Sequence, residues 1–245
     1  MKKHIPNIIT LFNVLSGTIG IVAVLNGNWL AGFILMIAGA VFDFFDGMVA
    51  RLLGVSSPVG KELDSLADVI SFGVLPGMMM YMMMLRVHEL DFISIYGVRL
   101  APYFAFLIPM MSAMRLAKFN LDERQTSSFI GLPTPANALF IGAISIAFNN
   151  LCPCSTIHQI ISSAWFLYPA TIILSILLVA ELPLFALKFK NLKWKNNEFR
   201  FIFIIGSLIL LGVFYQWVYM AVIIIIPSYI LLSVIENIFF GNKLN

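Results

Sequence analysis

The stretch DFFDGMVARLLGVSSPVGKELDSLAD, residues 43–68, sets four carboxylates, Asp43, Asp46, Asp64 and Asp68, into an otherwise apolar chain. On a helix, offsets of three, four and seven place Asp43, Asp46, Gly47 and Ala50 on one face, and steps of four place Gly60, Asp64 and Asp68 on another. Gly54 and Pro58 break the chain between them. The expected object is a helical hairpin that turns two pairs of aspartates towards each other. An aspartate at the centre of a membrane helix costs about 2.5 to 3.5 kcal/mol, so four unpaired ones mid-bilayer would cost about 10 kcal/mol or more, an upper figure because these lie near the helix ends. Hard divalent cations relieve all four together, because carboxylate oxygens suit Mg2+ and Mn2+. Two such ions balance four charges and can clamp phosphate oxygens during a phosphoryl displacement. Gly47, Ala50 and Gly60 keep bulk away from these faces, and Arg51 adds a planar cation suited to phosphate.

The rest of the chain says where such a site sits. Of its 245 residues 60% are hydrophobic and 11% charged, and the mean hydropathy is +0.96. A soluble domain carries about 25% charged residues, so the composition implies an all-α, polytopic membrane bundle whose helices satisfy their own backbone. Apolar windows fall at 8–25, 29–53, 65–85, 99–119, 136–151, 163–188, 200–215 and 217–237, which predicts about eight transmembrane helices, six or seven if either short hairpin is re-entrant, in a single integral-membrane domain spanning 1–245. No small-x-small cleavage site follows MKKHIPN, so the first window reads as a retained helix. With eight spans and the N-terminus inside, thirteen of the fifteen lysines and arginines fall on inner segments, and only Arg86 and Arg99 fall outside. The positive-inside rule then puts both termini and the aspartate bend in the cytoplasm.

Other polar residues are placed with respect to that hairpin. Asn7, Thr10, Asn13 and Gly17 run down one side of the first helix, where they either bond a neighbouring helix or face the aspartates and bind a polar ligand. Arg115, Lys118 and Asn120 close the fourth window in MRLAKFN, with Arg124 in the loop beyond, and Gly131, Pro133 and Pro135 fix an irregular backbone in FIGLPTPAN. Arg115 lies a turn inside the helix end, where snorkelling is a weak explanation, and is expected to bind phosphate or a substrate carboxylate. The methionine run of residues 77–85 reads as flexible apolar packing without helical periodicity. Cys152 and Cys154, one residue apart, read as loop residues poorly placed to pair with each other. The lysine-rich stretch at residues 187–200 reads as a topological signal and lipid-facing surface.

The pattern D-x-x-D-G-x-x-A-R, eight residues, then G-x-x-x-D-x-x-x-D, carried by Asp43, Asp46, Gly47, Ala50, Arg51, Gly60, Asp64 and Asp68, resembles the signature of the CDP-alcohol phosphotransferases. IPNIITLFNVLSG, GKELDSLADVISFG, RLAKFN and FIGLPTP, within residues 5–137, resemble the bacterial-type, membrane-integral phosphatidylserine synthases, with Lys118 where arginine and Leu75 where alanine are expected. The resemblance implies transfer of the phosphatidyl group from CDP-diacylglycerol to L-serine, giving phosphatidylserine and CMP. It implies two divalent cations, Mg2+ or Mn2+, on Asp43, Asp46, Asp64 and Asp68, with Asp68 also the general base. Asn7, Thr10, Asn13, Gly47, Ala50, Arg51 and Gly60 would contact CDP, and Arg115, Lys118, Asn120, Gly131 and Pro133 would serve serine or phosphate.

It further implies a protein of the cytoplasmic (inner) membrane, surrounded by membrane lipids and with no nucleic-acid partner. A homodimer is expected, and residues 138–245 would supply additional transmembrane helices available for its contacts. Two alternatives stay open: another acceptor, such as glycerol 3-phosphate or an inositol phosphate, and a cation-coupled transporter using the aspartates as an ion path. Against transport, the four aspartates lie near one face, and the only further carboxylates inside predicted spans are Glu181 and Glu236.

Overall fold

Asn28 and Gly54 bracket the helix that carries the first pair of aspartates. Asn28 Oδ1 accepts from the Ala31 N–H at 3.1 Å, and Gly54 ends the helix in the left-handed conformation, φ 61°, which glycine adopts without a Cβ penalty. The next helix starts on Ser57, whose Oγ accepts from the Gly60 N–H at 2.9 Å, with Pro58 in the first turn, where its missing N–H costs nothing. The computed structural model describes residues 4–90, 94–121, 128–185 and 197–240. Its helices are α1 His4–Leu25, α2 Trp29–Leu53, α3 Pro58–Asp68, α4 Leu75–Leu85, α5 Leu107–Leu121, α6 Thr134–Asn150, α7 Thr156–Ile161, α8 Ala164–Val179, α9 Glu198–Val213 and α10 Val218–Phe240.

A π-helical turn, Val69–Val74, joins α3 to α4, so Pro58–Leu85 runs as one 28-residue helix. The widened turn directly precedes Pro76, whose ring clashes with the carbonyl four residues back and which has no N–H to give it. Four described helices are long and apolar enough to cross a membrane: α1, α2, the composite Pro58–Leu85 helix, and Val218–Ile238 within α10. Each of the eight windows holds a helix, several of them shorter than predicted. The window at 163–188 stops as helix at Val179, and that at 99–119 opens with a 3-10 turn, Ala101–Phe106.

Two short strand pairs depart from an all-α reading: β1 Ser94–Ile95 with β2 Val98–Arg99, and β3 Ser128–Ile130 antiparallel to β4 Pro183–Phe185. Runs of two or three residues are too short to leave a period in the sequence. A second departure concerns the cysteines. Cys152 and Cys154 are joined as a disulfide, because the turn through Pro153 brings their Cα atoms to 5.2 Å, inside the range a disulfide spans.

Small residues let the backbones approach where the site is built. α1 packs along both α2 and α3. A Cβ on Gly17 would run into Ser71 Oγ, and one on Gly39 would lie 2.8 Å from Asn13 Oδ1. The apolar side of α1 points outward, with Ile8, Leu11 and Phe12 about half exposed, as lipid contact requires. The methionines are packing residues: Met79, Met80, Met83 and Met84 are fully buried. Their offsets of one, four and five do share a helical face, a periodicity that the run of six methionines hides in sequence.

Gly39→Ala is expected to destabilise the protein by about 1 to 3 kcal/mol, since the added carbon must displace Asn13 or Ser71. Gly206→Ala in α9, with nothing within 4 Å of the new carbon, should leave stability unchanged or slightly raised. Thermal unfolding of the two variants in one detergent checks both.

Candidate active site

Three helices converge on the aspartates. From α1, Thr10 Oγ1 donates to Asp46 Oδ2 at 2.6 Å and Asn13 Nδ2 donates to Asp68 Oδ1 at 3.3 Å. The π-turn holds Asn13 in turn, since Ser71 Oγ donates to the Asn13 carbonyl at 3.0 Å. The stripe of polar residues on α1 therefore faces the aspartates.

One oxygen each from Asp43, Asp64 and Asp68 lies within 4.8 Å of the others. Asp46 stands beside this trio, close enough to Asp64 to interact electrostatically, with one oxygen committed to Thr10. Like charges at such spacing repel strongly in an apolar bundle. Asp64 Oδ1 is buried with no hydrogen-bond partner among the described residues. An all-oxygen, negatively charged cluster with an unspent lone pair fits a hard divalent cation. Asp43, Asp64 and Asp68 would hold it, with Asp46 next to them.

Of the trio, Asp64 lines a cleft of about 260 Å³, together with Pro6, Asn7 and Thr10 of α1, Asp46, Gly47 and Ala50 of α2, the bend Val55–Ser57, and Gly60 and Lys61 of α3. Five of the residues expected to contact CDP, namely Asn7, Thr10, Gly47, Ala50 and Gly60, share this wall. Asn13 lies deeper, at Asp68. Arg51 is exposed at the end of α2, its Nη1 3.7 Å from where a Gly47 side chain would begin. Lys61, whose Nζ donates to the Asn120 carbonyl at 2.8 Å, was not singled out in sequence, because a lone lysine near a cytoplasmic bend reads as topology.

The residues expected to serve the acceptor are divided by the structure. Arg115 is 7% exposed, sits 5.9 Å from the centre of the Phe119 ring and is close enough to Asp68 for their charges to attract. Asn120 Nδ2 donates to Ser65 Oγ at 2.8 Å and so ties α5 to the helix of Asp64. Lys118 is on the exposed side of α5. Gly131 turns the chain at φ 78° against the end of α8, where a Cβ would lie 2.8 Å from the Leu178 carbonyl, and its N–H donates to the Leu182 carbonyl at 2.9 Å. Pro133 precedes α6 as its cap residue. Packing against α8 accounts for Gly131. Arg124 and the lysines at 188–195 lie outside the described residues. Glu181 is exposed beyond the end of α8, outside any described helix.

With this geometry in view, comparison with known proteins gives a consistent result. The chain belongs to the CDP-alcohol phosphatidyltransferase family, whose model matches residues 3–187. It is similar to the CDP-diacylglycerol–serine O-phosphatidyltransferase of Bacillus subtilis (strain 168), 35% identical over 149 residues, 61% of this chain and 79% of that protein. The protein of the same name from Methanocaldococcus jannaschii is 29% identical over 202 residues, 82% of this chain and 80% of its own length. The archaetidylserine synthase of Methanothermobacter thermautotrophicus is 35% identical over 141 residues, 57% of this chain and 56% of that protein.

Asp64→Asn is expected to abolish Mn2+ binding measured by electron paramagnetic resonance, since it removes a charge from the trio. Asn13→Ala, which only releases Asp68, should keep the ion while turnover falls about 10- to 100-fold.

Proposed function

We propose that the protein transfers the phosphatidyl group of CDP-diacylglycerol to the hydroxyl of L-serine, releasing CMP. The observation that carries this reading is the meeting of Asp43, Asp64 and Asp68, with Asp64 and Asp46 lining a cleft that other signature residues of the family wall. The serine acceptor is supported by the relatives, several of which bear that activity in their names.

The chain's own residues account for the steps. Asn7, Thr10, Gly47, Ala50 and Gly60 form a wall free of bulk in which the cytidine diphosphate lies, while the acyl chains stay among the apolar outer faces of the helices. Arg51 at the mouth screens phosphate charge. Asn13 fixes Asp68 so that its carboxylate takes the proton of the serine hydroxyl, a weak nucleophile until that proton leaves. The serine oxygen bonds to the phosphorus that carries diacylglycerol, and the bond from that phosphorus to the bridging oxygen of the pyrophosphate breaks. CMP departs with the electron pair. Two divalent cations on the aspartates would supply charge neutralisation of the pyrophosphate and the leaving group.

The setting belongs to the same proposal: eight spans, both termini and the aspartates facing the cytoplasm, in the inner membrane, as a homodimer. Lys61 and Arg51 at the carboxylate end support this orientation. Arg86, 4.8 Å from the Trp29 ring, and the Cys152–Cys154 disulfide mark the opposite end, and a disulfide persists on the oxidising side of a membrane.

Purified protein in nanodiscs, given CDP-diacylglycerol, Mn2+ and labelled serine, should form phosphatidylserine and CMP in equal amounts, and chelation by EDTA should stop both. Product with glycerol 3-phosphate or an inositol phosphate, and none with serine, would overturn the acceptor assignment.

A further inference from the structure

The cleft on the α1, α2 and α3 side has room for a nucleotide, yet none of its walls offers a site built for an amino acid. Unspent polar groups collect on the other side of the π-turn. Asn137 of α6 is fully buried, and neither its Nδ2 nor its Oδ1 has a hydrogen-bond partner among the described residues. Thr134 Oγ1, one turn earlier and 1% exposed, has none either. The same holds for Nε of Arg115 on α5 and for Oγ of the fully buried Ser233 on α10. An amide, two hydroxyls and a guanidinium nitrogen buried without protein partners are costly. Buried polar groups are nearly always paired, so these call for a partner that is not a protein side chain.

Packing fixes the depth of these groups. Phe148 stacks on Trp29 at 6.0 Å, and a Cβ on Gly142 would meet the side chains of Phe33 and Met36, so α6 runs antiparallel to α2. Seven residues back from Gly142, about 10 Å at the helical rise, Pro135 reaches the level that Asp43 reaches seven residues on from Met36. The first turn of α6, Thr134 to Asn137, is therefore level with the aspartates. Both α5 and α6 pack on the π-turn that follows Asp68, and α10 packs along α6. Arg115 lies near Asp68 on one side, where their charges attract, and near Tyr229 of α10 on the other. Tyr229 is itself held by donating to the Phe185 carbonyl at 2.8 Å.

We infer that Arg115, Thr134, Asn137 and Ser233 form the pocket for the zwitterionic end of the acceptor amino acid, with Tyr229 as its outer wall. This rests on the serine-transfer reading above and adds the side from which serine enters. The carboxylate meets Arg115 and the positive end of α6, whose first turn has no side-chain cap. The ammonium meets Asn137 Oδ1 and the hydroxyls of Thr134 and Ser233. The serine hydroxyl is then directed at Asp68, across the π-turn from the nucleotide. In this arrangement α10 completes the active site rather than serving only as a further span.

Asn137→Leu keeps the volume and removes an unpaired amide, so it should hold or raise thermal stability while raising KM for serine about ten-fold or more, with KM for CDP-diacylglycerol within about two-fold of wild type. Ser233→Ala, which removes a single oxygen, should raise the serine KM about three-fold and keeps the test readable should the leucine variant not fold. Wild-type phosphatidylserine synthesis with an unchanged serine KM in the folded variants would overturn the pocket alone. A wild-type protein that makes no phosphatidylserine would overturn the serine reading and the pocket with it.

Discussion

Mutual repulsion among Asp43, Asp46, Asp64 and Asp68 is the constraint on which the rest of the structure depends. Carboxylates placed within a bundle this apolar pull it apart unless each is oriented and compensated. The compensation begins in the protein, with Thr10 on Asp46 and Asn13 on Asp68, and those two bonds require α1 to lie against α2 and α3. Close approach then demands small residues, which is why Gly17 meets Ser71 and Gly39 meets Asn13. What the protein leaves uncompensated, the unpartnered Asp64 oxygen and the trio's net charge, is what a cation answers.

The π-turn is the second consequence. It follows Asp68 immediately and presents Ser71 to the Asn13 carbonyl, so the distortion imposed ahead of Pro76 also positions the partner of Asp68. The same turn separates two kinds of surface. On one side lies the glycine-rich cleft proposed for the nucleotide; on the other, α5 and α6 carry Arg115, Thr134 and Asn137. A transferase must bring two unlike substrates to one phosphorus, and a helix with chemistry at one turn and neighbours on both flanks is suited to that.

Much of this was legible in the sequence where period and spacing carry information. The offsets from Asp43 to Ala50 and from Gly60 to Asp68 gave the faces, and the spacing of Asn7, Thr10 and Asn13 gave the side of α1 that meets them. Other features leave no such trace. Three-residue strands and a single π-turn are set by tertiary packing. The CPC disulfide depends on a turn that brings two Cα atoms to 5.2 Å. Gly131 resembled part of a ligand loop, yet its position is explained by the backbone of α8 beneath it. Asn137 carries no spacing signal in the sequence, and only its lack of partners among the described residues makes it a candidate. Residues 138–245 carry no motif, and the inward stripe of α10, Ala221, Tyr229 and Ser233, is visible only once its neighbour is known.

The claim that the aspartates form a cation-dependent transfer site is tested most directly by anomalous diffraction at the manganese edge, from crystals grown with Mn2+ and CDP-diacylglycerol. The account predicts anomalous density among Asp43, Asp64 and Asp68 with the pyrophosphate against it and cytidine towards Asn7 and Gly60. Manganese bound elsewhere, or nucleotide seated away from these carboxylates, would contradict it.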